Sequence, residues 1–230
     1  MDVASFGGIF DPNPPAMKKY SILNTILLIF LLITISLSLI VIADKLILTN
    51  DFYDRNGQSL SGIPDMETTV YQSIQKVIYI YSSAYLFIKI AVIALVLYTG
   101  LYFFDVKVLY RDLLRIVTWA EFLFLVPAIE KIYFFHQYKD NLSLEQWQKY
   151  SFMSLASLMD TIKPAFLYPL QSLNVFEVIY WCLLAAGMES VTGISFKKSL
   201  WVISCSYVPA LFVWIVMVVF FTIVYFPQSY

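Results

Sequence analysis

Two runs of this chain contain no charged residue: Tyr20–Ala43, 24 residues long, and Ser199–Phe226, 28 residues long. A helix of about 20 predominantly apolar residues is long enough to cross a hydrocarbon core of roughly 30 Å. Both runs exceed that length, so the chain is expected to pass through a bilayer at least twice. Its composition agrees: 60% of residues are hydrophobic and 13% are charged, against about 45–50% and about 25% in an ordinary soluble domain. A soluble core cannot absorb such an excess, and the class that remains is an integral membrane protein. The net charge of −1 provides no basic footprint for nucleic acid.

Three further stretches are apolar enough to read as spans despite internal charges. They are Ser83–Phe104, with Lys89; Leu113–Phe135, with Arg115, Glu121, Glu130 and Lys131; and Leu173–Val191, with Glu177 and Glu189. The expected fold is therefore an all-α membrane bundle of five transmembrane helices, residues 20–230, preceded by an N-terminal arm, residues 1–19. The first run follows Lys18-Lys19 but is longer than the apolar core of a signal peptide, so it reads as an uncleaved signal anchor.

Basic residues cluster in the short connectors: Lys18 and Lys19, then Lys107, Arg111 and Arg115, then Lys197 and Lys198. Alternating spans put all of these on one side, which the positive-inside rule makes cytoplasmic. The N-terminus is then cytoplasmic and the C-terminus outside, with longer outer loops at 44–82 and 136–172. Tyr79, Tyr81, Tyr85, Tyr98, Tyr102, Tyr133, Trp201 and Tyr225 lie near span ends, as in an aromatic belt. The segment "TTVYQSIQKVIYIYSS" is expected to extend the second span outward as a helix. In the second outer loop, Ser143 is a candidate N-cap for a helix ending at Pro164. Its apolar residues Trp147, Phe152, Leu155 and Leu158 would face the membrane or the protein's own loops. Asn141-Leu142-Ser143 has the form of a glycosylation acceptor, relevant only in a eukaryote. In the arm, Phe6, Ile9 and Phe10 stand beside Gly-Gly and Pro-rich turns, which suits an extended segment held by the protein's cytoplasmic surface or by a partner chain.

Ionisable residues inside a membrane are costly and are candidates for function. At about 1.5 Å of rise per residue, Lys89, Glu130 and Glu177 each lie roughly 6–9 Å below the outer ends of their spans. Lys89 is therefore expected to pair with Glu130 or Glu177, as a register-fixing ion pair or triad or as part of an ion pathway. Glu121 lies about 12 Å from the cytoplasmic end of its span, near the level of Tyr207. It is expected to be a protonated acid bonded to Tyr207, or a proton-coupled carboxylate. Glu189 lies at the cytoplasmic rim, within expected reach of Arg115, Lys197 and Lys198 for a salt bridge. Glu177 and Glu189 are 12 residues apart in one helix, about 18 Å, which is too far for a catalytic pair.

Hydrolase, nucleotide-binding and zinc-protease signatures are absent, and the sequence calls for no cofactor. Cys182 and Cys205 sit in apolar runs without metal-ligand spacing and read as small buried hydrophobes; His136 reads as an interfacial residue. Pro127 and Pro209 fall inside spans and are expected to kink them.

The pattern from "GLYFFDVKVLYRDLLRIVTWAEFLFLVPA" to "LNVFEVIYWCLLAAGMESVTGISFKKSLWVISCSYVP" resembles the Yip1 family of small polytopic membrane proteins, in particular its bacterial branch. The resemblance covers about Leu86–Phe226 and is carried mostly by Leu173–Lys198. It implies five spans with a cytoplasmic arm and brings no catalytic residues. Eukaryotic members are associated with vesicle trafficking and Rab GTPases, but their DLYGP and GYG signatures are missing here. That departure favours a bacterial inner membrane. The expected function is a non-enzymatic accessory or scaffold subunit of a larger membrane complex, surrounded by lipid and other integral membrane proteins, with a link to protein transport. The alternative is a small proton-coupled carrier that uses Glu121, gated by Lys89, Glu130 and Glu177.

Overall fold

The computed structural model describes residues 22–49, 52, 64–138, 144–159, 162 and 164–225. Phe6, Ile9 and Phe10 and the Asn141–Ser143 acceptor lie outside the described residues. Among the described residues eight α-helices follow one another: α1 (Ile22–Leu46), α2 (Pro64–Phe103), α3 (Tyr110–Glu121), α4 (Leu125–Tyr138), α5 (Leu144–Lys149), α6 (Pro164–Ser172), α7 (Val175–Thr192) and α8 (Phe196–Tyr225). Among the described residues four helical segments are long and apolar enough to cross a membrane: Ile22–Leu46, Val77–Phe103, Val175–Thr192 and Phe196–Val224. The chain is thus an all-helical, multi-pass, membrane-embedded protein. The expected extension of the second span is present, since α2 runs without a break from Pro64.

The third expected span is not one α-helix. Its two halves, α3 and α4, are joined by a 3₁₀ turn at Phe122–Phe124. Pro127 accounts for the break. It has no N–H to offer the carbonyl of Leu123 four residues back, and its ring crowds that carbonyl. The chain tightens instead, with the Leu125 N–H bonding back to Phe122 and Leu123. The long helix expected from Ser143 to Pro164 also does not form. Helix stops at Lys149, Met153 adopts φ 52°, and Ser154 pairs with Asn174 in an isolated antiparallel bridge. Backbone bonds from Leu155 to Leu173 and from Val175 to Met153 tie this loop to the start of α7 and offer the backbone an alternative to helix.

The core lies where α2, α3, α7 and α8 meet. Leu97 and Leu101 from α2, Leu113 and Val117 from α3, Leu184 and Met188 from α7 and Val202 and Ile203 from α8 are fully buried together. α1 lies along α2, α3 and α4 and contributes Leu32 to this core. Cys182 and Cys205 are exposed on outer helix faces rather than buried. Each is two residues from a core-facing tyrosine or isoleucine, which on a helix turns the side chain about 200° away. His136 is exposed near the end of α4.

Two tight links set the helix levels. After α2, Asp105 takes φ 55° and the Val106 N–H reaches back to the Leu101 carbonyl, closing the helix end. After α7, Gly193 takes φ 73°, and its N–H bonds the Glu189 carbonyl. Only a residue without a Cβ adopts this conformation at no cost, which explains glycine in the Val191–Ser195 turn.

α2 and α8 cross closely at Gly100. A Cβ there would meet the Ser206 Cβ and Oγ at 2.7 Å. We predict that Gly100→Ala destabilises the bundle by about 1–3 kcal/mol, measured by unfolding in mixed micelles. Adding Ser206→Gly should recover most of the loss. Equal stability of Gly100→Ala and the wild type would refute the close crossing.

Candidate functional site

Five polar residues inside the bundle form one connected cluster. Glu121 ends α3, is 3% exposed, and accepts from two sides. The Lys89 Nζ of α2 donates to Glu121 Oε2 at 2.8 Å, and the Tyr180 hydroxyl of α7 donates to Oε1 at 3.0 Å. Lys89 also lies 4.4 Å above the centroid of Phe124, in the 3₁₀ turn. A cation over an aromatic face gains roughly 0.5–2 kcal/mol depending on desolvation. The turn therefore places Glu121 and Phe124 on either side of one ammonium group.

The second acid, Glu177, has its own closure. Asn174 caps α7 by accepting the Glu177 backbone N–H at 2.8 Å. In the first turn, the carboxylate faces the positive end of the helix dipole. Its Oε1 accepts from the Tyr207 hydroxyl of α8 at 2.7 Å and from the Trp181 indole N–H at 3.0 Å. Tyr180 and Tyr207 join the two halves, with ring centroids 5.8 Å apart. Lys89, Glu121, Tyr180, Tyr207 and Glu177 thus connect α2, α3, α7 and α8 through the middle of the bundle.

These pairings correct the expected ones. Lys89 pairs with Glu121, not with Glu130 or Glu177. Tyr207 serves Glu177, not Glu121. The reason is geometric. Depths counted inward from outer span ends depend on where each span begins, and α2, unbroken from Pro64 as expected, carries no local mark of that boundary. Counting from the tight links gives the observed partners. Lys89 is 14 residues before Phe103 and Glu121 is 11 after Tyr110, an offset of about 4–5 Å that a lysine stem covers. Tyr180 is 12 residues before Thr192 and lies level with Glu121. Glu177 is 15 before Thr192 and Tyr207 is 11 after Phe196, an offset of about 6 Å that the length of a tyrosine spans. The Asp105 and Gly193 turns were the available signal.

Glu130 belongs elsewhere. Both of its oxygens accept from the Tyr150 hydroxyl, at 2.7 and 2.8 Å. Burial, and then this bond to Glu130, push the Tyr150 hydroxyl well above its ordinary pKa, so it stays protonated and remains a donor. Glu189 is exposed, and among the described residues it forms no salt bridge with Lys197 or Lys198. Its Oε1 accepts the Phe196 backbone N–H at 3.1 Å, because the Gly193 turn carries the start of α8 back over it. Tyr180, Trp181 and Phe124 are the cluster members that the sequence did not single out.

Two grooves flank the cluster. One of about 360 Å³ separates α3 from α7 and is lined by Asp112, Arg115, Trp119 and Ser190 among others. The other, about 300 Å³, separates α1 from α4, and Glu121 forms part of its lining. Among the described residues, no three His, Cys, Asp or Glu side chains gather as a metal-binding group. No family profile, curated protein or solved structure matches the chain.

The cluster predicts a ranking of substitutions. Removing one member of a buried ion pair strands the other, at a cost of about 3–5 kcal/mol when fully desolvated. Lys89→Met should therefore be the most damaging change. A Lys89→Met/Glu121→Leu double variant should be more stable than Lys89→Met alone. Tyr207→Phe removes a single hydrogen bond between membrane helices, which averages about 0.6 and reaches about 1.7 kcal/mol. Unfolding midpoints of the wild type, these three variants and the single variant Glu121→Leu test the order. Additive effects of the two ion-pair substitutions would contradict a direct pair.

Proposed function

We propose that the protein is a non-enzymatic accessory or scaffold subunit of a larger membrane complex. The observation that supports this reading is the closure of the central cluster: Glu121 and Glu177 are each held by two side-chain donors from within the bundle. Such acids lock helices in register. A carrier needs an acid that exchanges its proton with solvent, and these side chains are 8% exposed or less as residues. The broad apolar outer faces of α1 and α8 suit packing against lipid and against other membrane helices. Membership of the Yip1 family, a bacterial inner membrane and a link to protein transport rest on the resemblance at Leu173–Lys198 and belong to the same proposal.

In this reading the chain crosses the membrane five times, with α3, the 3₁₀ turn and α4 acting together as the third span. Tyr110 to Tyr138 would rise about 43 Å if straight, more than a bilayer core requires. Broken helices at membrane depth are tolerated where the freed backbone groups are buried in protein. A second reading, the proton-coupled carrier, is favoured by one observation, the groove between α1 and α4 that reaches Glu121.

Five spans predict opposite sides for the α2–α3 link and the end of α4. In a chain with Cys182 and Cys205 replaced by serine, Gln137→Cys should react with an impermeant thiol reagent from outside intact cells. Lys107→Cys should react only after permeabilisation. Protection of both from outside would leave four spans.

For the function, purification in gentle detergent followed by mass spectrometry should recover a second membrane protein in fixed ratio. A chain that purifies alone and conducts protons in vesicles, with conduction lost in Glu121→Gln, would replace the accessory role with the carrier.

A further inference from the structure

The groove between α1 and α4 has a shape and a charge that select an occupant. Its α1 wall runs from Leu32 to Ala43, 11 residues or roughly 16 Å along the helix axis. Leu39 on this wall and Phe124 and Ala128 on the other line it, and almost the whole lining is hydrocarbon. A water column would find few of the two to four polar partners that each water needs. The inner end of the groove is closed by Glu121, whose oxygens are already taken by Lys89 and Tyr180. The outer end is formed by Lys131 and Trp147.

That outer end carries the charge. The Lys131 Nζ lies 4.5 Å above the Trp147 ring and 3.5 Å from the Tyr150 carbonyl oxygen. Among the described residues it forms no ion pair. The adjacent acid, Glu130, is engaged by Tyr150. Ala43, at the same end of the groove, immediately precedes Asp44 and Lys45, where α1 meets the polar boundary. A cation and an indole at headgroup level therefore cap a narrow apolar slot on the flank of the bundle, and tryptophan and lysine are the residues that anchor at that level.

We propose that this groove holds one acyl chain of an anionic phospholipid, its phosphate at Lys131 and its chain running inward past Leu39 and Ala128 toward Phe124. The surrounding bilayer supplies this ligand at high local concentration. A chain in the slot covers a groove that reaches Glu121, and so keeps water on that side from the Lys89–Glu121 pair. The binding itself does not depend on the accessory role, and a scaffold or a carrier could carry it equally.

The test uses the full chain, delipidated in detergent and then incubated with equal amounts of phosphatidylglycerol and phosphatidylcholine of identical acyl chains. Native mass spectrometry should show one phosphatidylglycerol per protein, favoured over phosphatidylcholine about fivefold, as expected for one lysine near an anionic headgroup. Lys131→Gln should abolish the preference while leaving residual binding of both lipids. Ala128→Trp, which fills the slot, should abolish retention of both; Leu39→Trp, from the opposite wall, does the same if Ala128→Trp fails to fold. Circular dichroism and gel filtration verify that the variants are intact. Equal retention of the two lipids by the wild type would overturn the proposal. So would unchanged retention in both slot-filling variants, or a free fatty acid as the only species that stays bound.

Discussion

The ion pair between Lys89 and Glu121 is the contact around which the bundle is organised. Its N–O distance is 2.8 Å, and the Glu121 side chain is 2% exposed. A carboxylate taken out of water costs several kcal/mol unless a cation and hydrogen bonds replace the lost hydration. Here Lys89 supplies the cation and Tyr180 the hydrogen bond, from two different helices. The acid can remain buried only while α2, α3 and α7 keep their positions. The lysine has the same dependence, since its charge rests between Glu121 and the face of Phe124.

α7 is the element that ties this pair to the rest of the molecule. Glu177 and Tyr180 are three residues apart and so share one helix face. Tyr180 reaches down to Glu121, and Glu177 reaches across to Tyr207 of α8. The Asn174 cap fixes where α7 starts, and the Gly193 turn fixes where α8 begins. The close approaches at Gly100 and Gly187 bring α2 against α8 and α7 against α3, where a side chain would meet Ser206 or Ile116. Small residues allow such crossings in membranes, where packing and hydrogen bonds rather than hydrophobic burial hold helices together.

The candidate site was only partly legible in the sequence. Lys89, Glu121, Glu177 and Tyr207 stand out as polar residues in apolar runs. The partner of each did not follow, because partnership depends on the relative level of two helices and level is set by the links. Depth counted from the outer ends paired Lys89 with Glu130 or Glu177, because a helix that is continuous to Pro64 carries no local mark of where the span begins. Tyr180, Trp181 and Phe124 were invisible for another reason. Aromatic residues are common in membrane helices, and nothing local distinguishes one that donates to a carboxylate from one that faces lipid.

By itself, the sequence determined the class of the molecule: an all-helical chain whose apolar runs exceed the length of a bilayer crossing. It also determined particular helix boundaries, the break before Pro127, the start of α7 at Asn174 and its end at Gly193, because backbone sterics and caps are local. Only the tertiary structure decided which buried charges meet and which faces turn outward. That decision put Glu121 at the hub, Glu130 against Tyr150 and both cysteines on the surface. The physical reason is range. Helix propensity acts over a few residues, whereas a buried charge is satisfied by whatever group lies within about 3 Å, and chain folding, not sequence distance, brings that group there.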